Sequence, residues 1–294
     1  MRTFLRLLGF LAPYRLRVAL AVLLGVATVA SNVGLLSTAA YVISAAALVS
    51  YISLLSVPIF LVRFFSVSRS FSRYFERLVS HDATFRLLGN LRSWFYARLA
   101  PLAPALLEGY RSGDLLSRLV EDIEELENLY LRAVSPVLVA VIVSGLAFAV
   151  LYPFGPALAL AVLAFFAAAG VGVPLLVWAL SRGLGRRQRE LRSELYARIV
   201  DGTQGVQDLL AFGCEEEQRR QIEALDRKLG RAERRMASIS GLESSLGDLL
   251  TNLAMLAALV LAMPLVAAGE VRGVYLAFLA VVALGVFEAA TPLG

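Results

Sequence analysis

The sequence predicts an all-α membrane protein with six spans, and three observations lead to this fold class. Of the 294 residues, 59% are hydrophobic and 17% are charged, whereas a soluble domain has about half apolar and about a quarter charged residues. The mean hydropathy is +0.72. Several uncharged stretches reach the length of about 20 residues that crosses a hydrocarbon core.

The uncharged stretches place the spans along the chain. The first two are expected within 18–62, which has no charged residue, and the other four at 133–152, 154–180, 249–268 and from 274 onward. The first span is too long to be a cleavable signal peptide, and the second follows it almost without a break.

Basic residues indicate the orientation. Placing the N-terminus, 63–132 and 182–235 on one side puts 27 of the 28 Lys and Arg residues there, and only Arg272 on the other. Because positive residues mark the cytoplasmic side, we expect a cytoplasmic N-terminus and external turns near Ser50, Pro153 and Gly269. The sequence pI near 9.6 therefore reflects topology, and no nucleic-acid partner is expected.

The two long regions between spans have a helical composition. Residues 63–132 and 182–245 are rich in Leu, Arg, Glu and Ala. We therefore expect spans two, three, four and five to continue as rigid helices past the membrane, by about 30 Å for twenty further residues. Residues 1–16 are basic and amphipathic, which predicts an elbow helix in the membrane interface, and 17–294 form the membrane domain.

Proline and glycine mark the expected ends of these extensions. Such breaks lie at Pro101–Pro104, 108–113, Gly202, Gly205 and Gly213. They leave one short crosswise element at 112–126 and another at 201–215. Elements so far from the bilayer are typical of a protein on which a cytoplasmic machine pushes.

The only histidine lies on an apolar helix face. Residues at spacings of three and four share this face: Phe71, Tyr74, Leu78, His81, Phe85 and Leu88. On the residues alone, a packed or hydrogen-bonded histidine is the simpler interpretation, and a ligating imidazole is the alternative.

Polar side chains within spans are costly and therefore indicate function. Asn32, Asn252 and Glu288 are candidates for lining a substrate cavity, and Glu288 could bind a substrate amine; a hydrogen bond between helices is the alternative. Cys214 is the only cysteine, so the sequence has no intrachain disulfide. It also lacks any recognisable hydrolase motif.

The two crosswise elements, which we call the first and second tips, resemble the coupling helices of ABC exporter membrane domains. The first reads Arg-Ser-Gly-Asp-Leu-Leu-Ser-Arg-Leu-Val-Glu-Asp-Ile-Glu from Arg111, and the second Gly-Val-Gln-Asp-Leu-Leu-Ala-Phe-Gly from Gly205. The resemblance implies contacts with nucleotide-binding domains through Gly113, Asp114, Arg118, Gly205, Asp208 and Phe212. The fold class is then a six-span ABC exporter transmembrane domain with long cytoplasmic helix extensions and two coupling helices.

A narrower resemblance rests on Arg-Tyr-Phe-Glu-Arg-Leu-Val-Ser-His-Asp-Ala-Thr-Phe-Arg from Arg73, together with Asp-Leu-Leu-Ala-Phe-Gly-Cys from Asp208. These segments resemble the CydC-type half of heterodimeric bacterial ABC exporters of thiols, and the resemblance spans the whole chain. It implies a CydD-type partner half, ATP-driven export of cysteine or glutathione across the inner membrane, and support of cytochrome bd assembly.

The same resemblance implies a haem b site on this subunit. The matching histidine is an axial haem ligand, a role that carries over to His81, since imidazole commonly ligates haem iron. Arg77, one turn earlier, would pair with a haem propionate. Either Arg234 or Arg235 would provide a further propionate contact, and the resemblance does not choose between them.

The sequence departs from this family in one respect. It contains no Gly-x-x-x-x-Gly-Lys-Ser/Thr loop, so ATP and Mg²⁺ would bind only to a nucleotide-binding domain outside these residues. We therefore expect a fragment or truncated gene product that hydrolyses no ATP by itself. Two other functions remain open: a haem-responsive sensor or assembly factor without transport, and an ABC exporter half for lipids or drugs.

Overall fold

The computed structural model describes residues 12–48, 52–102 and 134–291, and the regular elements in these ranges are all helical. The chain divides into two compact units. The first unit comprises residues 1–170 and 250–294, and the second comprises residues 171–249.

The α-helices of the described ranges follow in chain order. Those that begin in the first unit are α1 (Arg15–Ala46), α2 (Ser56–Leu99), α3 (Ser135–Leu151), α4 (Pro156–Ala167) and α9 (Tyr275–Val286). Those that begin in the second unit are α5 (Val173–Ser181), α6 (Leu184–Gln204), α7 (Val206–Phe212) and α8 (Glu215–Ala267), and the last part of α8 belongs to the first unit.

Five helical segments are long and apolar enough to cross a membrane. They are Arg15–Ala46, Ser53–Leu99, Ser135–Phe154, Pro156–Ser181 and Glu215–Ala267. Five of the six predicted spans are thereby confirmed, and the protein is a multi-pass membrane protein. At the position of the sixth, the described residues form a shorter apolar helix, Tyr275–Ala289.

The core of the first unit combines large aliphatic side chains with a row of alanines. Leu151, Leu158 and Leu279 are almost fully buried among their neighbours. On α8, Ala254, Ala258 and Ala262 recur every fourth residue and are fully buried. Small residues on one helix face let backbones approach closely, which is how helices associate in membranes without a hydrophobic driving force.

Gly34 lies at a close approach between α1 and α2. A Cβ at this position would lie 2.9 Å from ring carbons of Phe65. We expect Gly34→Leu to force the two helices apart and to destabilise the protein by about 1–3 kcal/mol. The melting temperature of the purified protein in detergent measures this effect. The matched control is Gly145→Leu, because a Cβ at Gly145 meets nothing within 4 Å; equal melting temperatures for the two variants would contradict the expectation.

The start of α1 and the turn before it contact the second half of α2, at residues 82–90. Arg17 forms an ion pair with Asp82 at 3.2 Å. The Tyr14 hydroxyl donates to the Arg86 carbonyl oxygen at 3.4 Å and accepts a hydrogen bond from Asn90. These contacts hold the part of α2 that carries His81 against α1.

The second unit is built around an apolar seam between α6 and α8. Leu191 and Leu195 of α6 pack with Leu225 and Leu229 of α8. Beside this seam Arg192 donates to Glu233 at 2.9 Å. The two helices therefore hold their connecting segment, which contains α7, in a defined place.

The predicted rigid extensions are confirmed for spans two and five. Helix α2 runs without interruption for 44 residues and α8 for 53 residues. Helix α2 ends at Leu99, as the predicted break at Pro101 requires. The extension of span three, at 103–133, lies outside the described residues.

Two expectations about helix breaks were wrong. Span four does not continue as one rigid helix, because α5 ends at Ser181 and Gly183 takes a left-handed φ of 79° that favours glycine. Gly202 is no break but lies inside α6. A Cβ there would lie 2.8 Å from the Gln218 amide nitrogen, so this glycine serves a close side-chain approach.

Candidate functional site

Four polar side chains from three parts of the first unit form one hydrogen-bonded cluster. Arg69 Nη1 donates to Asn32 Oδ1 at 2.8 Å, and Asn32 Nδ2 donates to Glu288 Oε2. Arg73 Nη2 donates to Glu288 Oε1 at 3.0 Å. We call Asn32, Arg69, Arg73 and Glu288 the polar cluster.

The fold explains why these side chains meet. Arg69 and Arg73 are four residues apart on α2 and therefore share a helix face. Asn32 lies in α1, and Glu288 lies in the short helical turn that follows α9. The Ser31 hydroxyl donates to Ser68 Oγ at 3.1 Å, which adds a second polar contact between α1 and α2.

Asn32 bridges opposite charges. A side-chain amide has both an acceptor oxygen and donor hydrogens. Here the oxygen accepts from the Arg69 guanidinium while the nitrogen donates to the Glu288 carboxylate. Since a charge that is partly removed from water is costly unless it is hydrogen-bonded, such a bridge gives both charged groups a partner.

The cluster remains accessible from outside the unit. The Arg73 side chain is 50% exposed and the Glu288 side chain 33% exposed. Asn32 and Arg69 are half-buried. The site therefore combines a fixed inner part with an ion pair that another molecule can reach.

The cluster includes two of the three predicted cavity residues and two that sequence reasoning missed. Asn32 and Glu288 are joined by a hydrogen bond, and the other members of the cluster come from α2. Asn252 is exposed on α8. Arg69 and Arg73 were overlooked as site residues. Two signals were available in the sequence. Arg69 and Arg73 are four residues apart, and the sixth apolar span contains a glutamate, Glu288, that requires a partner.

The predicted His81 face is largely exposed. Phe71, Tyr74, Leu78 and Phe85 are each more than half exposed, while Leu88 is buried. His81 is half-buried, and its ring lies 5.9 Å from the Phe85 ring between centroids, with the planes tilted by 33°. The face therefore presents an imidazole among accessible aromatic and aliphatic side chains.

This face continues toward the start of α2. The same spacing of three and four residues is kept by further exposed apolar side chains, Val57, Phe60, Phe64 and Val67. A stripe with this repeat suits either lipid chains or a second helix packed along it. The sequence predicted only the half of the stripe that begins at Phe71.

The residues present fit a haem on this face. A flat apolar macrocycle requires aromatic and aliphatic walls beside a ligating imidazole, and the exposed face around His81 provides both. Arg77 is exposed one turn before His81, where a guanidinium could reach a propionate. Arg234 and Arg235 are both exposed on α8 in the second unit, so exposure does not distinguish them.

The second predicted tip contains a short helix, α7. Gly205 precedes it and Gly213, with a left-handed φ of 64°, ends it. The Cys214 N–H donates to the Leu209 carbonyl oxygen at 2.9 Å, which closes the helix end in the manner of a Schellman motif. The turn chemistry of the two glycines thus isolates α7 from α6 and α8.

Helix α7 presents an apolar surface. Val206, Leu210 and Phe212 are 48%, 64% and 81% exposed, respectively. Asp208 lines a shallow cavity of about 360 Å³ beside Phe212. Exposed apolar groups rimmed by polar ones are typical of protein interaction sites. The corresponding residues of the first tip, Gly113, Asp114 and Arg118, lie outside the described residues.

The first unit also contains a cavity, and the described residues that line it are almost all apolar. It has a volume of about 380 Å³, and Ser37 and Thr38 are the polar residues in its lining. Ser37 donates to the Val33 carbonyl oxygen of its own helix at 2.5 Å. Such a lining suits hydrocarbon rather than a charged solute.

The described residues form a helical membrane domain in which helices run far beyond their apolar spans and a short helix is exposed between two of them. This is the architecture of a transporter membrane domain. The chain belongs to the family of ABC transporter transmembrane regions, whose family model matches residues 15–287.

Within this family, the chain is similar to CydC and CydD proteins of several bacteria. The chain is 31% identical, over 99% of its length, to the glutathione/L-cysteine transport system ATP-binding/permease protein CydC of Escherichia coli (strain K12), and it covers 52% of that protein. It is 29% identical to CydC of Haemophilus influenzae, again covering 52% of it. It is 32% identical over 66% of its length to CydD of Bacillus subtilis, covering 34% of that protein. The chain thus spans about half the length of the CydC relatives.

Proposed function

We propose that this chain is the membrane-spanning half of an ATP-driven heterodimeric exporter of cysteine or glutathione. The observation that carries the proposal is the similarity over 99% of the chain to a glutathione and cysteine transport protein. The partner would be a CydD-type half, and the nucleotide-binding domains would bind ATP and Mg²⁺. Export of reductant in this way would support cytochrome bd assembly.

The proposed mechanism is alternating access. Closure of the nucleotide-binding domains would push on the exposed apolar surface of α7, which the turns at Gly205 and Gly213 set apart. Helix α8 follows directly and has no break over 53 residues. A displacement at its start would therefore be transmitted along its length and re-orient the spans.

The charge distribution supports a cytoplasmic N-terminus in the bacterial inner membrane. All but one of the basic residues fall in segments that would share the cytoplasmic side, as the positive-inside rule requires. In this orientation α7 faces the cytoplasm, where ATP is available.

A haem site on α2 is part of the proposal. His81 would ligate the iron, Arg77 would pair with a propionate, and the exposed side chains of Phe71, Tyr74, Leu78 and Phe85 would exclude water. When bound, haem would supply an iron centre whose oxidation or ligation state can change. Because His81 follows the apolar part of α2, the haem would lie at the rim of the membrane domain.

ATP hydrolysis by the full-length protein with its partner half tests the proposed substrate class. We expect cysteine and glutathione to stimulate hydrolysis by the complex in nanodiscs, while phospholipid composition changes it little. Stimulation by added lipids or apolar drugs and not by thiols would contradict the proposal. It would instead favour an apolar substrate for the cavity lined by Ser37 and Thr38.

A further inference from the structure

We infer that the polar cluster recognises the amino-acid head group that cysteine and glutathione share. Glu288 would bind the substrate ammonium group, and Arg73 with Arg69 would bind the α-carboxylate. The inference deepens the proposed function and rests on it for the identity of the substrate.

The charges of the cluster are unequal. The cluster contains two guanidinium groups and one carboxylate. Arg73 bonds directly to Glu288, and Arg69 is linked to Glu288 through Asn32. A guanidinium has five N–H donors, and the bond to Glu288 engages one of those on Arg73. The cluster can therefore accept a further carboxylate, for which arginine provides a bidentate donor pair.

A zwitterion can enter this cluster without leaving a charge unpaired. The substrate carboxylate would replace Glu288 on Arg73, and the substrate ammonium would replace Arg73 on Glu288. One ion pair becomes two, so the penalty of an uncompensated partly buried charge is avoided. A thiol with only one of the two charges cannot make this exchange.

The accessibility of the pair favours recognition over a purely structural role. Arg73 and Glu288 are 50% and 33% exposed, whereas the apolar contacts of the first unit are buried. Glu288 lies in the sixth predicted span, and a charged group within a span is costly and usually marks a transport path. Glu288 is the carboxylate assigned to the ammonium group, because it forms the ion pair with Arg73.

The inference predicts a defined substrate ranking. Glutathione carries a free ammonium group and α-carboxylate on its γ-glutamyl residue, so it presents the same head group as cysteine. Cysteamine lacks the carboxylate and 3-mercaptopropionate lacks the amine. Both should compete poorly with cysteine, although each keeps the thiol.

The test is uptake of labelled cysteine by the full-length protein and its partner half in proteoliposomes, with these analogues as competitors. Arg73→Gln should raise the KM for cysteine at least about tenfold while leaving weak inhibition by cysteamine unchanged. Glu288→Gln should also raise the KM for cysteine at least about tenfold, while leaving the weak inhibition by 3-mercaptopropionate unchanged. Arg63→Gln, which alters an exposed arginine of the same helix, should leave the ranking as in the natural protein.

A charge-swapped double variant separates recognition from folding. Arg73→Glu combined with Glu288→Arg can restore the ion pair between α2 and the turn after α9, and with it the melting temperature. It places the charges in the wrong order beside Asn32 and Arg69, so the KM for cysteine should remain at least about tenfold raised. If the swap restores cysteine uptake, or if all thiols weaken equally in the single variants, the cluster is only a structural tie and the inference is wrong.

Equilibrium binding of L-serine to the purified complex distinguishes failure of this inference from failure of the proposed function. Serine has the head group without the thiol. Serine binding that depends on Arg73 and Glu288 would uphold head-group recognition even if the complex exports no thiol. Cysteine export that is insensitive to both variants would uphold the proposed function and overturn the inference.

Discussion

His81→Ala is expected to abolish the Soret band of haem bound to the purified complex of full-length protein and partner half. The reason is that His81 is the only imidazole in these 294 residues and stands on an exposed aromatic face of α2. Absorption spectra of the haem-loaded protein, before and after gel filtration, measure the effect. Added imidazole should restore part of the band if the lost group is an iron ligand.

Two further variants separate ligation from packing. Phe85→Leu keeps an apolar group beside His81 and should preserve the band. Arg77→Ala should keep the band position but weaken haem binding by about tenfold, since a charge-assisted hydrogen bond contributes about 1.5–3 kcal/mol. A Soret band that is unchanged in His81→Ala would overturn the ligand assignment and leave His81 as a packed histidine.

Phe212→Ala is expected to uncouple ATP hydrolysis from transport. Phe212 is 81% exposed at the end of α7, so its removal should leave the melting temperature of the membrane domain nearly unchanged. A nucleotide-binding domain that pushes on α7 would lose its largest apolar contact there. We expect thiol transport to fall at least about tenfold while basal ATP hydrolysis persists, because anchors of this kind contribute about 2 kcal/mol or more to an interface.

The matched control is Tyr196→Ala. Tyr196 is 61% exposed on α6 in the same unit, so it tests whether any exposed aromatic residue would produce the effect. Transport and hydrolysis should both stay near their natural values in this control. Equal loss in the two variants, or normal transport in Phe212→Ala, would show that α7 is not the contact through which ATP drives the protein.

Patterns that repeat along the chain predicted the fold well. Uncharged stretches located the spans, and the continuous helical composition before Pro101 predicted the length of α2. Single glycines were harder to interpret, because the same residue can end a helix or admit a neighbour. Gly205 and Gly213 are breaks, but Gly202 lies within α6 against Gln218, and Gly183 was an unrecognised break.

The polar cluster could be predicted only in part. Asn32 and Glu288 stood out because each is a polar residue in an apolar run. Their bond joins residues 256 positions apart, and a periodicity within one helix carries no information on such a pairing. Arg69 and Arg73 looked like ordinary basic residues at the end of a span. Their hydrogen bonds to Asn32 and Glu288 became visible only in the structure, where α1 packs against both α2 and α9.

ATP-dependent uptake of labelled cysteine or glutathione into inverted membrane vesicles tests the central proposal most directly. The vesicles should contain the full-length protein and its partner half, and matched vesicles without them serve as the control. We expect thiol accumulation that requires ATP and falls in Phe212→Ala. Vesicles that hydrolyse ATP through this complex yet accumulate no thiol above the control would contradict it.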